Sequence, residues 1–554
     1  MRVNISHLDL SMDELDALMQ RAKAAMAEAD YQTLKQVVES YLYVTQVLED
    51  KRITIKRLKK LLFGDRTEKT RDVAKAAGAG DPSQSGDQSK QDASQDAQSQ
   101  ASDAREPKKK PRGHGRNGAS AYRGAQTVWI AHPTLKSGEP CPDCQQGKVY
   151  RQSAPRCIVQ VVGQAPVEAK VYQLEKLRCN LCGKRFTADP PEGIGSEKYD
   201  ATTASIIALL RYGNGMPFNR LDRLQEGFGI PLPSSTQWDI VNEQVNKVVP
   251  AFEELTRQAA QGDVVHNDDT NNRILEFMGK RAEARAEAQG DAEKTTERTG
   301  VFTSGIISII GGHQIGLFFT GRKHAGENLE QVLAHRASEL GPPIQMCDAL
   351  SRNLPKQLAV IVANCLAHGR REFVDLAEIF PEHCLHVLDV FKKVYEVDAR
   401  ARDEKLTPQQ RLALHQTESG PVMEELNQWL IEQFEGRHVE PNSALGKAIQ
   451  YLLNHWKQLT LFLREAGAPL DNNICERALK MSIRHRKNSL FYKTQRGAYV
   501  GDVYMSLIHT CYLNGVDPFD YLTALHRHAD QVAANPGAWM PWNYREAASR
   551  APPS

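Results

Sequence analysis

GDVVHNDDT, residues 262–270, sets two β-branched valines before a histidine and an asparagine and ends in two acids and a threonine. Two stretches of similar texture follow, NRILEFMG (272–279) and VFTSGIISIIGGHQIGLFFTG (301–321), and the three read as three strands with turns. A helix is expected near Glu327 to Leu340. Two more strands come after it, PIQMCDAL (343–350) and QLAVIVANCLA (357–367).

Three antiparallel strands feeding a strand, a helix and a strand is the ribonuclease-H-like order. In that order the first strand and a later one lie side by side, so acids at their ends converge. Asp268 and Asp348 occupy those ends, and Glu476 lies in a helical stretch, NNICERALKMSIRHRK (472–487), that can project over them. Between Asp348 and Glu476 the chain is too long for a loop. Helical spacing at Val422, Met423, Leu426 and Leu430, and at Leu445, Ile449, Leu452 and Trp456, reads instead as an inserted helical subdomain at about 385–470. Magnesium or manganese takes hard oxygen ligands. Two such ions on shared carboxylates activate an attacking oxygen and stabilise a leaving one in phosphodiester chemistry. Read from spacing alone, each acid can equally cap a helix or make a surface ion pair.

Composition limits the other classes. The chain has 554 residues, 41% hydrophobic and 25% charged, as in ordinary globular proteins of several domains. No apolar run approaches membrane-spanning length, and MRVNISHLDLSMDEL lacks a signal-sequence pattern, so a cytoplasmic protein is expected, close to the nucleoid when bound to DNA. With a net charge of only +2, affinity for nucleic acid must come from local basic clusters. Near the N-terminus, Ser11 and Glu14 form a capping box. A heptad seam runs through Leu34, Val37, Tyr41, Val44, Leu48, Lys51, Ile55, Leu58 and Leu62, stopping at Gly64. A coiled coil that makes a homo-oligomer is one reading; a stripe packed on the chain's own body is the other. Residues 74–106 are Ser, Gln, Asp, Gly and Ala with almost no large apolar side chain, a disordered linker. It ends in Lys108, Lys109, Lys110, Arg112 and Arg116, which can lie along phosphates or remain a solvated linker end.

Ten cysteines in such a chain direct attention to spacing rather than to disulfides. Cys141-Pro-Asp-Cys144 and Cys179-Asn-Leu-Cys182 are two knuckles, followed by Gly147 and Gly183, able to hold one structural zinc ion in a ribbon. Strand-like CIVQVV (157–162) and AKVYQLEKLRC (169–179) lie between them, and Cys157 reads as a buried apolar side chain. From Thr202 to Gln258 the chain is helical. LDRLQEGFGIPLPSSTQWDIVNEQV (221–245) resolves into a helix, a turn at Gly229, and a second helix capped by Ser234 or Ser235. Its segment Gln237 to Gln244 can enter a major groove, or the hairpin can be scaffolding, since Asp239 and Glu243 repel phosphate. The expected organisation is 1–70 coiled coil, 71–125 linker, 126–192 zinc ribbon, 193–260 helical DNA-binding region, 261–500 catalytic core with insertion, and 501–554 helical region and tail.

Around the acids, Arg477, Lys480, Arg484, Arg486 and Lys487 form a dense basic run read as a DNA-facing surface, because a carboxylate site that accepts a polyanion needs cations nearby. His368, Arg370 and Arg371 can bind phosphate or make ordinary caps and pairs. Asn472 and Asn473 can support Glu476 or begin its helix. His266 reads as a packing or hydrogen-bonding residue.

LLFGDRTEK (61–69), GHGRNGA (113–119), the paired knuckles, RYGNGMPFNRL (211–221), NDDT, CDAL, CLAHGRREF (365–373), DNNICERAL (471–479) and SLIHTCYLNGVDPFDYL (506–522) occur in this order. The combination resembles the transposase of the insertion sequence 66 family, a DDE-type group with a ribonuclease-H-like core. The resemblance implies that Asp268, rather than Asp269, Asp348 and Glu476 are the catalytic, metal-holding acids. It further implies cleavage at transposon ends, strand transfer into target DNA, and small accessory proteins encoded by the same element. Asp269 stands where the family often has Glu; CDAL lacks the following glycine and aromatic; CLAHGRREF lacks the usual tryptophan. The alternative reading is a noncatalytic DNA-binding regulator derived from a transposase.

Overall fold

A computed structural model describes residues 20–24, 26, 30–32, 34–35, 129–131, 133–151, 157, 164–178, 185–191, 198–279, 281 and 300–550. The heptad seam beyond Leu34, the linker, Lys108, Lys109, Lys110, Arg112, Arg116, Cys179 and Cys182 lie outside them. The architecture is mixed α/β. A two-stranded hairpin, β1 (Lys176–Arg178) with β2 (Arg185–Thr187), precedes a five-stranded sheet surrounded by helices. AKVYQLEKLRC is strand only at its end, and Cys157 is exposed rather than buried.

Helices α1 (Ala201–Ala208), α2 (Phe218–Gly227) and α3 (Ser234–Ala259) lead into the sheet. The turn between α2 and α3 holds Gly229 at φ +74, a left-handed conformation that suits glycine. No serine side chain caps α3. Its N-cap is Pro233, and the Ser234 N–H and hydroxyl both donate to Asp222 of α2, at 3.1 and 3.0 Å. α3 buries Ile240, Val241, Val245, Val248, Phe252 and Leu255, a stripe at helical spacing that carries it across the core. Gln237, at the start of the expected groove-reading segment, is fully buried and donates to the carbonyls of Phe218 and Leu232. That end of α3 is packed scaffolding on one face.

The sheet has the order β5–β4–β3–β6–β7, built from β3 (Val264–Asn271), β4 (Phe302–Ile310), β5 (His313–Gly321), β6 (Ile344–Cys347) and β7 (Ile361–Asn364). β3 runs antiparallel to β4 and parallel to β6; β4 and β5 are antiparallel, β6 and β7 parallel. Two of the expected strands are reassigned. VFTSGIISIIGGHQIGLFFTG is two strands, because Gly311 and Gly312 both adopt positive φ and turn the chain. NRILEFMG is not a strand of the sheet: only Ile274 bridges, to Tyr492, before a 3-10 turn at Leu275–Phe277. The helix expected near Glu327 to Leu340 is α4 (Ala325–Leu333), shorter at its C-terminal end.

After β7 come α5 (Leu366–Leu376), α6 (Pro381–Asp403), α7 (Pro408–Glu435) and α8 (Ala444–Asn454). Met423, Leu426, Leu430, Leu445, Ile449 and Leu452 are buried in one cluster that also takes in Val264, Ile344, Met346 and Cys365 of the sheet region. The inserted helices therefore share a core with the parallel half of the sheet. The chain then returns through α9 (Asn473–Ser489), α10 (Gln495–Leu513) and α11 (Pro518–Arg527). Among the described residues no helix is long and apolar enough to cross a membrane.

α10 covers the outer edge of β5 by an unusual device. Asn514, Thr510, Ser506 and Asp502, four residues apart along one helix face, accept the N–H groups of Gln314, Gly316, Phe318 and Thr320, at 3.2, 3.1, 2.9 and 2.6 Å. A strand rises about 3.3 Å per residue and a helix 1.5 Å, so two strand residues keep step with four helix residues. An edge that would otherwise template pairing with another chain is closed.

Candidate active site

The pleat of β3 decides which of its adjacent acids faces which helix. Asp268 pairs with Gly305 of β4, and Asp269 with Ser304. Directly opposed residues share a face. A Cβ at Gly305 would lie 3.0 Å from Leu479 and 3.4 Å from the Cys475 sulfur, and the Cys475 thiol donates to the Gly305 carbonyl at 3.3 Å. The face of Asp268 is thus the face of α9, and the bare backbone at Gly305 lets the helix carrying Glu476 approach closely. Ser304 instead accepts a hydrogen bond from Asn328 of α4. Asp269 turns to that side, where its buried carboxylate meets His324 Nδ1 at 2.9 Å and Arg352 at 3.3 Å.

Asp348 follows the last residue of β6. The parallel pairing His266↔Met346 leads two residues on to Asp268 and Asp348 side by side. Glu476 lies in the first turn of α9, where the helix N-terminus favours negative charge. The electrostatics record the convergence. Burial first, then the carboxylate of Asp348, with smaller contributions from Asp269 and Glu476, push the Asp268 carboxyl up to about 7. Like charges in a partly desolvated site disfavour the ionised form. Asp269, paired to a histidine and an arginine on the opposite face, is committed elsewhere.

Amide side chains hold these acids. Asn353 donates to Asp348 Oδ1 at 2.5 Å, and the Leu350 N–H donates to the same oxygen at 3.2 Å. The Asn353 carbonyl accepts from Asn267 and Gln345, both at 2.7 Å, and Gln345 also donates to Asn267 at 2.8 Å. Asn472 occupies the N-cap position of α9 without capping it by its side chain. Its amide donates to the Asn267 carbonyl at 3.0 Å and lies 3.1 Å from His266 Nδ1. Since the amide N is used on a carbonyl, its oxygen faces His266, which must present an Nδ1 proton. Burial holds the His266 imidazole down at about 4, hence neutral. Asn472 N–H also donates to the Cys365 sulfur at 3.2 Å. One buried residue, through its side chain and its backbone N–H, therefore ties β3, the end of β7 and the start of α9 together. None of this network has a signal in the sequence beyond a few amides.

His368 is a further finding. Its Nε2 lies 3.7 Å from Glu476 Oε1, and the ligand atoms of Cys365, His368 and Glu476 fall within 4.8 Å of one another. Burial pushes the Cys365 thiol up to about 12, which keeps it protonated and a poor ligand. The step from Cys365 to His368 in CLAHGRREF was the available clue, one helical turn apart at the start of α5.

The basic residues divide. Arg477, Lys480, Arg484 and Lys487 are exposed. Their steps of three, four and three residues form one stripe along α9. Arg486 is half-buried and directs its guanidinium to Thr270 Oγ1 and the Asn271 carbonyl, fastening α9 to the end of β3. Arg370 and Arg371 are half-buried on α5.

The region from α1 through the start of α10 matches one family over residues 197–500, described as Transposase IS66 family. The chain belongs to that family. The match spans Asp268, Asp348 and Glu476 and supports a transposase. The chain is also similar to Uncharacterized protein y4hP of Sinorhizobium fredii (strain NBRC 101917 / NGR234), 25% identical over 416 residues, 71% of each chain. A second relative, Uncharacterized protein y4jD of the same strain, is 33% identical over 189 residues, 33% of this chain and 36% of that one.

Earlier in the chain, Cys141 and Cys144 form a tight knuckle. Cys141 N–H donates to the Gly147 carbonyl at 2.7 Å, Gln145 N–H to the Cys141 carbonyl at 2.8 Å, and Gln145 takes φ +56. The backbone N–H groups of Gly147 and Gln146 hold the Cys144 thiol below its usual range. Such N–H groups aimed at sulfur favour a thiolate ligand.

Proposed function

We propose that this chain is a DDE-type transposase that cuts DNA at the ends of an insertion sequence and joins the freed ends to target DNA. Its core would be ribonuclease-H-like, a reading supported by the strand order with antiparallel β5, β4 and β3 followed by parallel β6 and β7. The observation that carries the chemistry is the convergence of Asp268, Asp348 and Glu476, expressed in the raised Asp268 carboxyl.

Three carboxylates brought this close together suit a divalent ion with a preference for oxygen ligands. Asp268, Asp348 and Glu476 would hold magnesium or manganese, which supplies electrostatic activation of the attacking oxygen and stabilisation of the leaving one. The residues of the chain supply position. Asn353 holds one oxygen of Asp348, leaving the other free to face the substrate. Asn472 sets the start of α9 against β3, and with it the height of Glu476 over Asp268. Arg477, Lys480, Arg484 and Lys487 would draw the DNA backbone along α9 to the acids. In the first step water attacks a phosphodiester at a transposon end and releases a 3′-hydroxyl; in the second that hydroxyl attacks target DNA.

At the N-terminal side, Cys141 and Cys144 would share a structural zinc ion with Cys179 and Cys182, which lie in the sequence between β1 and β2. The segment before it would assemble the protein into an oligomer, and the basic strip from Lys108 to Arg116 would add phosphate contacts. Accessory proteins of the same element are expected partners.

The test is a cleavage and joining assay with DNA flanking the coding sequence. Wild-type protein with magnesium should yield nicked ends and strand-transfer products. Asp348→Ala should lose both by a factor of about 1,000 or more while binding the same DNA. Retained magnesium-dependent cleavage by that variant would refute the assignment.

A further inference from the structure

α9 ends in a conformation that its residue makes costly. Leu490 has φ +68 and ψ −39, and Phe491 N–H donates back to the Ser489 carbonyl at 2.8 Å. That is the geometry of the rare γ-turn with a positive central φ. Glycine would adopt it freely, and a γ-branched side chain there is strained. Leu490 is also 61% exposed and Phe491 39%, so neither recovers the strain by full burial. The two apolar side chains are presented rather than frayed. Immediately before them, Asn488 donates to the Gly215 carbonyl at 2.9 Å, and Ser489 is bonded by Arg211. Immediately after, Tyr492 N–H donates to the Arg273 carbonyl at 2.8 Å and its own carbonyl accepts from Leu275 at 2.9 Å.

The charge beside this knob names its partner. Arg477, Lys480, Arg484 and Lys487 form the exposed stripe of α9, and Leu490 and Phe491 directly follow the helix's last residue. The stripe starts beside Glu476 and reaches the knob after about 20 Å of helix. A basic row that terminates in a rigid apolar pair matches a polyanion whose interior is apolar and stacked, which is duplex DNA.

We infer that Leu490 and Phe491 form a wedge that enters the base stack of DNA lying along α9, unstacking a step some 20 Å from the carboxylates. This rests on the DNA-processing reading above and adds to it a device for deforming the substrate. The wedge keeps its shape because the strained turn is clamped at both sides, so little ordering remains to be done when DNA arrives.

The experiment uses the full chain and a duplex from the DNA flanking the coding sequence, with 2-aminopurine placed at successive positions. Wild-type protein should brighten the probe several-fold at one step and bend the duplex. Leu490→Gly suits the backbone there and should keep or raise the melting temperature. Combined with Phe491→Ala it should abolish the brightening and weaken binding about tenfold, with the salt dependence of affinity unchanged. Lys480→Ala should instead lower that salt slope by about 1 and leave brightening intact once DNA is bound. A double variant that brightens and binds like wild type overturns the wedge. So does one that changes sedimentation without DNA, since the knob would then face a second copy of the chain. Magnesium-dependent nicking of the same duplex separates the two levels: wild type that nicks without brightening loses the wedge alone, and wild type that neither binds nor nicks loses the function beneath it.

Discussion

The two sides of the sheet treat polar groups in opposite ways. Along β5, four side chains of α10 accept four edge N–H groups in register, and Thr320 also donates its hydroxyl to Asp502 at 2.6 Å. At the ends of β3 and β6, acids approach one another, with the charges of Asp348, Asp269 and Glu476 all adding to the proton affinity of Asp268. The first arrangement gives each of those four N–H groups an acceptor, although burial pushes the Asp502 carboxyl up to about 8. The second keeps like charge together at a cost in stability. That contrast separates the part of the fold that maintains the sheet from the part proposed above to hold a metal ion.

The largest effect should come from breaking the satisfied side. Asp502→Val strands the N–H of Thr320 inside the core and leaves its hydroxyl with Thr303 alone, at 2.8 Å, and should cost about 3 kcal/mol in denaturant unfolding. An unchanged midpoint would mean that the ladder carries no stability. Removing charge from the crowded side should do the reverse. The Asp268 carboxyl is raised from 3.8 to about 7, so the folded state holds its proton to higher pH than the unfolded chain does. Its ionisation therefore costs nothing below about pH 3.8, progressively more up to about 7, and the full amount above. Asp268→Asn should accordingly stabilise the metal-free protein at pH 8 and leave it unaffected below pH 4, while removing cleavage. A variant less stable than wild type at pH 8 in chelator would show that the acids do not repel.

A smaller effect sharpens the role of His368. His368→Ala should slow single-turnover cleavage about tenfold by releasing Glu476, and His368→Gln, which can still donate from a similar reach, should restore most of it. Equal losses in both variants would remove the positioning role. The smallest change tests one rung of the ladder: Ser506→Ala leaves the Phe318 N–H without its acceptor and should cost about 1 kcal/mol, read as a lower melting temperature with faster amide exchange at Phe318.

Much of the sheet was legible because strands announce themselves by composition. Val264 and Val265, Ile306 and Ile307, Leu317 and Phe318 are buried on a sheet covered on both faces, so apolar runs mark them. NRILEFMG misled because an apolar segment of strand length also describes a 3-10 turn packed against Tyr492, and only pairing partners distinguish the two. Serine before a helix suggested a cap on α3, yet Asp222 from the preceding helix takes that N–H. Cys157 was read as buried from residue type, which is a tendency of thiols and not a property of position. The inserted helices were visible through their spacing because an amphipathic period is local.

Local pattern thus marked the elements, and motif order marked the acids as candidates: periodicity depends on neighbours a few residues away, and motif order survives in the linear chain. The resemblance already implies Asp268 rather than Asp269, but the reason that Asp268 lies on the face of α9 is the register of β3 against β4, because a strand sends adjacent side chains to opposite faces and pairing sets which face meets α9. Glu476 and His368 meet across more than a hundred residues, and the stripe on α9 ends at a strained, clamped Leu490. Such contacts depend on how helices pack on the sheet, where close approach at Gly305 and the amide of Asn472 set distances that no linear spacing encodes.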